Sequence, residues 1–426
     1  MRPWEAAGPR PAGKPGGGQL LLYAVLALLV VALGLARLAT GPWYQTAVPA
    51  GARLLEGWPI AWEATYYLAH FPTFLGEAPP QLGIAPVHYR TFLNLYLATA
   101  LYAWSGSAYW SIAAVDLCFW FLASAAGYHV ALRLGAGPWA AALGALMTAA
   151  SPLLVSNMWR HDLHTANFAT MALGLWAALV LVEEHRGSWR LAVGLGLLLL
   201  LLSLTYQYQW LMLPLLVVLT AGDARLGWGR RAAVVAGAAL LFLAGTLAVK
   251  AALVVAGMGP SVGYLHAVAE PDQLLGARLA GVRSPADVLA LLPRWTHVRL
   301  MAQAYHPAVF VAGVIGLGLL PWRARLLGLA ALAVTLLTNT LYAAPWTTMS
   351  AYPLVYAGAG TTCTALGASA ARLVGALPPS GRRPARRPDR LGVWLGRGAG
   401  LALALLLMAP TNVDLIGNTW FLRQWF

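Results

Sequence analysis

A chain of 426 residues that is 60% hydrophobic and only 10% charged lies far below the charge density of about 25% found in soluble domains, which excludes an ordinary soluble enzyme. The net charge of +14 does not point to nucleic acid, because the basic residues punctuate apolar runs instead of collecting on one domain. Cys118 and Cys363 both fall inside apolar runs, which argues against a disulfide framework or a thiolate metal site and assigns both to packing. Apolar windows of about 20 residues recur from 19 to 410, each long enough to cross a hydrocarbon core as helix, and the period-2 alternation of a membrane barrel is absent. The expected fold class is an all-α polytopic membrane protein with about 11 transmembrane helices.

In chain order, residues 1–18 carry Arg2, Arg10 and Lys14 among Pro and Gly and read as a disordered cytoplasmic tail before a first span at 19–36. A cleaved signal peptide fits poorly, since the apolar run is long and no small-x-small site follows it. Five basic clusters follow apolar segments: Arg133; Arg186 and Arg190; Arg225, Arg230 and Arg231; Arg323 and Arg325; and the run from Arg372 to Arg397, which includes "GRRPARRPDR". The positive-inside rule places all five in the cytoplasm, and with the tail they hold 18 of the 28 basic residues. The run "GRRPARRPDR" is most simply a topology determinant drawn to anionic lipid.

An even number of crossings must then separate the tail from Arg133, although three apolar stretches occur, at 19–36, 88–105 and 109–130. The stretch 88–105, interrupted by Arg90 and Asn94, is the one expected to lie along the outer surface. That makes 40–108 a large outer loop built partly of amphipathic helices. Spans at 138–157 and 164–182 follow. The 30 residues from Leu191 to Thr220 read as a tight hairpin broken at "TYQYQW" (205–210), with a single tilted span as the rival that would invert everything downstream. Spans at 232–256, 304–320, 326–343, 350–371 and 393–410 complete the set. The chain thus divides into the tail 1–18, a membrane module 19–231 with its outer loop 40–108, C-terminal helices 232–410 with an outer loop 257–303, and an outer interfacial tail 411–426 ending in "TWFLRQWF".

The order of elements over residues 20–225 resembles the GT-C superfamily of multi-spanning glycosyltransferases, which includes protein O-mannosyltransferases and bacterial lipid A aminoarabinose transferases. "ARLLEGWPI" (52–60) is similar to that family's amphipathic helix ending in Gly, and "APVHYRTFLNLYLATALYAWSG" (85–106) to its His-Pro-Pro-Leu helix. "AAALGALMTAASPLLVSNMWRHDLHTANFATMALGLWAAL" (140–179) resembles its third and fourth spans, and "AVGLGLLLLLLSLTYQYQ" (192–209) a recurring Gly-Leu-rich hairpin. The chain also departs from the pattern. The catalytic Asp that family members carry after the first span has no counterpart in "TGPWYQTAVPAG" (40–51), His-Pro-Pro-Leu has become Val87-His88-Tyr89-Arg90, and the Lys often found in the later hairpin is replaced by "TYQY".

The resemblance implies transfer of a sugar or related group from a polyprenyl-phosphate carrier, which needs a base for the acceptor proton and cations for the departing phosphate. Glu56, Glu63 and Glu77 are available as bases, Glu63 first because the aromatic surroundings in "IAWEATYY" would desolvate it; the competing role is the wet face of an amphipathic helix. Asp162 is a second base or a metal ligand; His161 and His164, three apart, are close enough to share one helical face, and one Asp with two His makes a chemically reasonable divalent site. The competing role of Asp162 is to cap the helix beginning near Leu163. Arg90 and Arg160, with His88, are the first phosphate anchors, followed by Arg278, Arg283, Arg294 and Arg299; contact with lipid headgroups explains any one of them as well. Glu270, Asp272 and His306 are further polar candidates by position. Within the spans, Asp116 is a buried partner or lines a cavity, and Lys250 snorkels.

The expected function is therefore a membrane glycosyltransferase of the prokaryotic cytoplasmic (inner) membrane and cell envelope, N-terminus cytoplasmic, acting on the extracytoplasmic face. The expected cofactor is at most a divalent metal ion. Expected partners are a polyprenyl-phosphate-linked sugar, membrane lipids and membrane proteins, with no nucleic acid. The alternative is a non-catalytic membrane complex component or a transporter with a GT-C-like body, motivated by the missing Asp and by only 14 acids in the chain.

Overall fold

A computed structural model describes residues 17–39, 92–106, 108–157, 164–185, 188–205, 212–221, 226–255, 282–290, 294–341, 348, 350–373 and 390–416, and structural statements below refer to these. Every regular element among them is helical. In chain order the helices are α1 (Gly17–Ala39), α2 (Phe92–Ser105), α3 (Ala108–Arg133), α4 (Pro138–Ala149), α5 (Pro152–Asn157), α6 (His164–Glu184), α7 (Trp189–Thr205), α8 (Met212–Ala221), α9 (Trp228–Val255), α10 (Pro285–Ala290), α11 (Trp295–Tyr305), α12 (Pro307–Leu319), α13 (Trp322–Leu341), α14 (Tyr352–Leu373) and α15 (Arg390–Ile416). Six segments are long and apolar enough to cross a membrane: α1, α3, the α4–α5 pair, α6, α9 and α15; α11 and α12, bent by 99°, make a seventh if counted as one broken span. The chain is a multi-pass helical membrane protein.

The bundle is organised around α14, whose first half is shielded from lipid by other helices. Residues 351–360 are buried without exception, so this segment needs small side chains more than greasy ones. Its sequence, "YPLVYAGAGTTCTALGASAARL", supplies Gly, Ala and Thr, the residues that let helix backbones approach closely where apolar contact alone gives no advantage. On one side α12 runs parallel to it, with Gly313 against Val355 and Gly316 against the Gly358 carbonyl. On another, α4 runs antiparallel, with Gly360 against the Ala140 carbonyl and Gly144 against Tyr356. On a third, Gly367 meets the Gly396 carbonyl and Cys363 meets Gly400, so α15 is also antiparallel. A Cβ built on Gly144 would stand 2.8 Å from the Tyr356 carbonyl oxygen, closer than real Cβ atoms come. Thr362 adds a hydrogen bond from its hydroxyl to the Ala312 carbonyl at 2.6 Å.

The basic ends gather at one end of this bundle. Arg133, closing α3, pairs with Glu183 near the end of α6. Gly135, at φ +91°, makes the turn into α4 with Pro321 against it; a Cβ there would lie 2.8 Å from the Pro321 ring and in a backbone region that only glycine adopts cheaply. Arg397 stands 6.0 Å over the Trp139 ring. Tyr23 of α1 bonds His129 of α3 at 2.6 Å, which fixes the start of α1 at this end too.

The hairpin reading of 191–220 is supported by the same kind of contact. Gly237 faces Ala192, Gly196 faces Leu241 and Gly245 faces Leu200, so α7 and α9 run parallel and α8 must carry the chain back between them. Arg231 then donates to the Ala221 carbonyl, at the end of α8, at 2.6 Å.

Three details differ from expectation. The span expected at 138–157 is two helices, because Pro152 lacks the amide to continue the ladder and biases Ser151 out of the helical region; Ser151 Oγ instead accepts from the Leu154 amide at 3.2 Å. The span expected at 304–320 begins only at Pro307, after His306 at φ +71°, a strained conformation for a residue other than Gly. Cys118, expected to pack, is exposed on α3, whereas Cys363 is buried.

Gly358→Ala should lower stability by about 2–3 kcal/mol through overpacking against α12, read as a fall in the thermal midpoint in detergent. Gly398, with nothing within 4 Å, is the control: Gly398→Ala should be neutral or slightly stabilising.

Candidate active site

At the end of the bundle opposite the arginines, polar and aromatic side chains from several elements meet around the start of α14. Tyr352 and Tyr356, one turn apart, are fully buried, and their rings meet edge to face at 5.4 Å. Tyr305, the last residue of α11, lies 5.8 Å from Tyr356 and 5.9 Å from Phe310, and its hydroxyl donates to the Thr348 carbonyl at 2.8 Å. Phe168, in the second turn of α6, lies 5.0 Å from Tyr352. The Tyr352 hydroxyl faces Thr148 and the Tyr356 hydroxyl faces Ser151, on either side of the α4–α5 break. Thr335 of α13 shares a 2.9 Å hydrogen bond with Ser350.

This cluster is a support. Its rings are sealed from solvent, so they contribute packing and aromatic contacts of about 0.5–1.5 kcal/mol each. The ring contacts of Tyr352 with Phe168 and of Tyr356 with Tyr305, the packing of Gly144 on Tyr356, and the Tyr305–Thr348 and Thr335–Ser350 hydrogen bonds tie α4, α6, α11, α13 and α14 to one geometry. The helix ends held there are those from which the segments 158–163 and 342–347 depart, so a site on those segments would rest on rigid elements.

Next to it along the chain, Ser284-Pro285-Ala286-Asp287 forms a capping box at the start of α10. The Asp287 carboxylate accepts from the amides of Arg283 (2.9 Å) and Ser284 (2.8 Å) and from the Ser284 hydroxyl (2.8 Å), while the Asp287 amide donates to Ser284 Oγ at 3.3 Å. The amide of Arg283 followed by the Ser284 hydroxyl holds the Asp287 carboxyl below its ordinary value. One half of this arrangement recurs at α11, where the Arg294 amide donates to His297 Nδ1 at 2.9 Å. Arg283, Arg294 and Arg299 are all exposed, against the single carboxylate of Asp287 among the described residues of 282–305. Capped helix starts therefore fix the backbone beneath two of these guanidinium groups, on a net basic surface suited to phosphate.

Of the other candidates, Glu56, Glu63, Glu77, His88, Arg90, Arg160, His161, Asp162, Glu270, Asp272 and Arg278 lie outside the described residues. His164 opens α6 one turn before Phe168, at the tyrosine end; its side chain and that of Lys250 lie outside the described part of the structure. Asp116 is buried, 1% exposed, in the interior face of α3. His306 stands at the bend between α11 and α12. No group of three or more His, Cys, Asp or Glu among the described residues is placed to hold a metal ion, and the set of Asp162, His161 and His164 rests on residues beyond them.

The tyrosine cluster and the capping box are not among the sequence expectations. "SPAD" (284–287) carries a readable signal, a capping Ser with Pro at the first helical position and an acid three residues on. Two Tyr at i and i+4 in an otherwise Gly- and Ala-rich helix are a weaker sign of a buried ring contact.

No family model and no curated protein matches the sequence. Solved structures do. The archaeal oligosaccharyltransferase AglB from Archaeoglobus fulgidus, in complex with an inhibitory peptide and a dolichol-phosphate, is similar over 93% of this chain and 55% of its own, with 14% identity and a TM-score of 0.55. ArnT from Cupriavidus metallidurans in the apo state is similar over 94% of this chain and 76% of its own, with 15% identity and a TM-score of 0.53. The chain thus spans about half the length of the oligosaccharyltransferase and three quarters of ArnT. At these identities the likeness shows the fold alone: the chain shares the helical membrane architecture of these two proteins.

Proposed function

We propose that this chain is a membrane glycosyltransferase that moves a sugar or related group from a polyprenyl-phosphate carrier to an acceptor on the extracytoplasmic side. The observation that carries the reading is the shared fold with AglB and ArnT, the former solved with a dolichol-phosphate. The opposite placement of the arginine end and the tyrosine end supports it. If the arginine end is cytoplasmic, the ends of α5 and α13 and the start of α6 all open to the other side.

In the proposed chemistry a carboxylate, Glu63 first and Glu56 or Asp162 as the others, takes the proton of the acceptor. The acceptor heteroatom forms a bond to the anomeric carbon as the carbon–oxygen bond to the carrier phosphate breaks, and the phosphate leaves with the electron pair. Arg90, Arg160, His88 and Arg278 are assigned to the charge that develops on that phosphate, and Arg283 to binding the carrier phosphate before the reaction. No step is routed through a metal.

The segment "TGPWYQTAVPAG", which offers no acid, is the specific observation behind the second reading, a non-catalytic component or transporter. Purified protein in liposomes, supplied with a panel of polyprenyl-phosphate sugars, separates the two. The Glu63→Ala/Asp162→Ala double variant, folded as judged by its thermal midpoint, should lose transfer by about 100-fold or more. Full transfer in that variant overturns the site, and no carrier turnover by the native chain together with copurification of a stable partner favours the second reading.

Arg283→Gln should raise KM for the lipid donor by roughly fivefold and leave kcat unchanged, because its exposed guanidinium contributes binding rather than transition-state contact. A tenfold fall in kcat would place it in the reacting centre instead.

A further inference from the structure

Arg397 lies about two turns in from the start of α15, is exposed, and makes no ion pair among the described residues. Its guanidinium stands 6.0 Å over the ring of Trp139, in the first turn of α4, and 5.6 Å over the ring of Trp394, one turn back on its own helix. Two rings from two helices thus flank one cation, and the electron-rich faces of both attract it.

Two contacts fix the level of this cluster. Arg397 meets Trp139. Three residues on, a Cβ at Gly400 would stand 3.6 Å from Leu143 Cδ1, which is four residues on from Trp139. Both helices are antiparallel to α14, so they rise together from the basic end, and it is Arg397, not the start of α15, that stands level with the start of α4. The guanidinium therefore lies at the height of the α3–α4 turn, where the bundle meets the headgroup layer.

Beyond this rung the seam between the two helices is apolar. On α4, Ala142 and Leu146 continue the face of Trp139 at helical spacing, and all three are partly buried against the core. On α15, Leu401 is partly buried and Leu405, one turn further, is 55% exposed. Neither α4 nor α14 carries an acid, and α15 has none before Asp414 near its far end. A headgroup with an amine would find no carboxylate on these helices to balance it, whereas a net anionic phosphate is matched by the planar fork of Arg397.

We propose that the seam between α4 and α15 binds one anionic phospholipid of the leaflet at the basic end, with its phosphate on Arg397 between Trp139 and Trp394 and an acyl chain along the apolar seam. The site lies at the opposite end of the bundle from the proposed transfer site and stands independently of it.

The test uses the full chain in detergent, offered equal amounts of phosphatidylglycerol and phosphatidylcholine with the same acyl chains, with retained lipid counted by native mass spectrometry. The native chain should retain one phosphatidylglycerol in preference to phosphatidylcholine. Arg397→Gln should cut that preference by about fivefold. Arg397→Lys, which keeps the charge without the planar fork over the rings, should keep more of it than the Gln variant does. Arg190→Gln is the control: Arg190 is exposed at the same end, over the one ring of Trp189, and its loss should leave the preference unchanged. Because Arg397 is exposed, the thermal midpoint of its variants should stay close to the native value, which separates lost binding from lost folding. Equal retention of the two lipids by the native chain, a preference unchanged in Arg397→Gln, a Lys variant no better than the Gln variant, or an equal loss in Arg190→Gln overturns the proposal.

Discussion

The rest of the bundle hangs on the contact of backbone against backbone along α14. In a membrane the neighbouring lipid is as apolar as any leucine, so helices gain little by burying leucines against each other and gain most by fitting closely. Gly358, Gly360 and Gly367, met by Gly316, Gly144 and Gly396 of three different helices, remove the side chains that would hold those helices apart. The dispersion attraction between any two of the atoms brought together is small, and over the whole seam it is large. One helix so packed becomes an axis, and its neighbours inherit their position from it.

From that axis the two ends of the molecule acquire different chemistry. Where α14 begins, Tyr352 and Tyr356 gather Tyr305, Phe168, Thr148 and Ser151 into a sealed cluster. At the other end, Arg133 and Glu183 pair and Pro321 packs on Gly135, so the turns rich in arginine come together. A strained His306 and a 99° bend let α11 leave the bundle while Tyr305 stays anchored to Thr348. Such strain persists where the surroundings over-determine a conformation, and here a buried hydrogen bond on one side and Pro307 on the other do so.

How much of this was legible in the sequence depends on which force wrote the pattern. Lipid exposure writes hydropathy, so α1, α9 and α15 were found near their true bounds. Charge placement writes the arginine clusters, so the hairpin of α7 and α8 followed from Arg190 and Arg225 flanking it. Burial within protein writes much less: α14 was located as a span, but nothing in its hydropathy marked it as the axis, because a helix shielded from lipid carries Thr and Gly where an exposed one carries Leu. The breaks at Ser151-Pro152 and His306-Pro307 carried a signal in the prolines that the continuous apolar runs masked. Of the candidate site, Arg283 and Arg294 lie at capped helix starts. The acids Glu56, Glu63 and Asp162 belong to segments whose assignment rests on resemblance and position.

In the proposed orientation the tyrosine end and the arginine end face opposite sides of the membrane, with the tyrosine end outermost. Single cysteines placed in a Cys118→Ser/Cys363→Ser background measure this directly, one replacing Thr296, exposed in α11, and one replacing Gly227, exposed in the turn before α9. In intact cells a membrane-impermeant maleimide should label the cysteine at 296 and leave that at 227 untouched until the membrane is opened. Labelling of both from outside, or of 227 alone, would contradict the account.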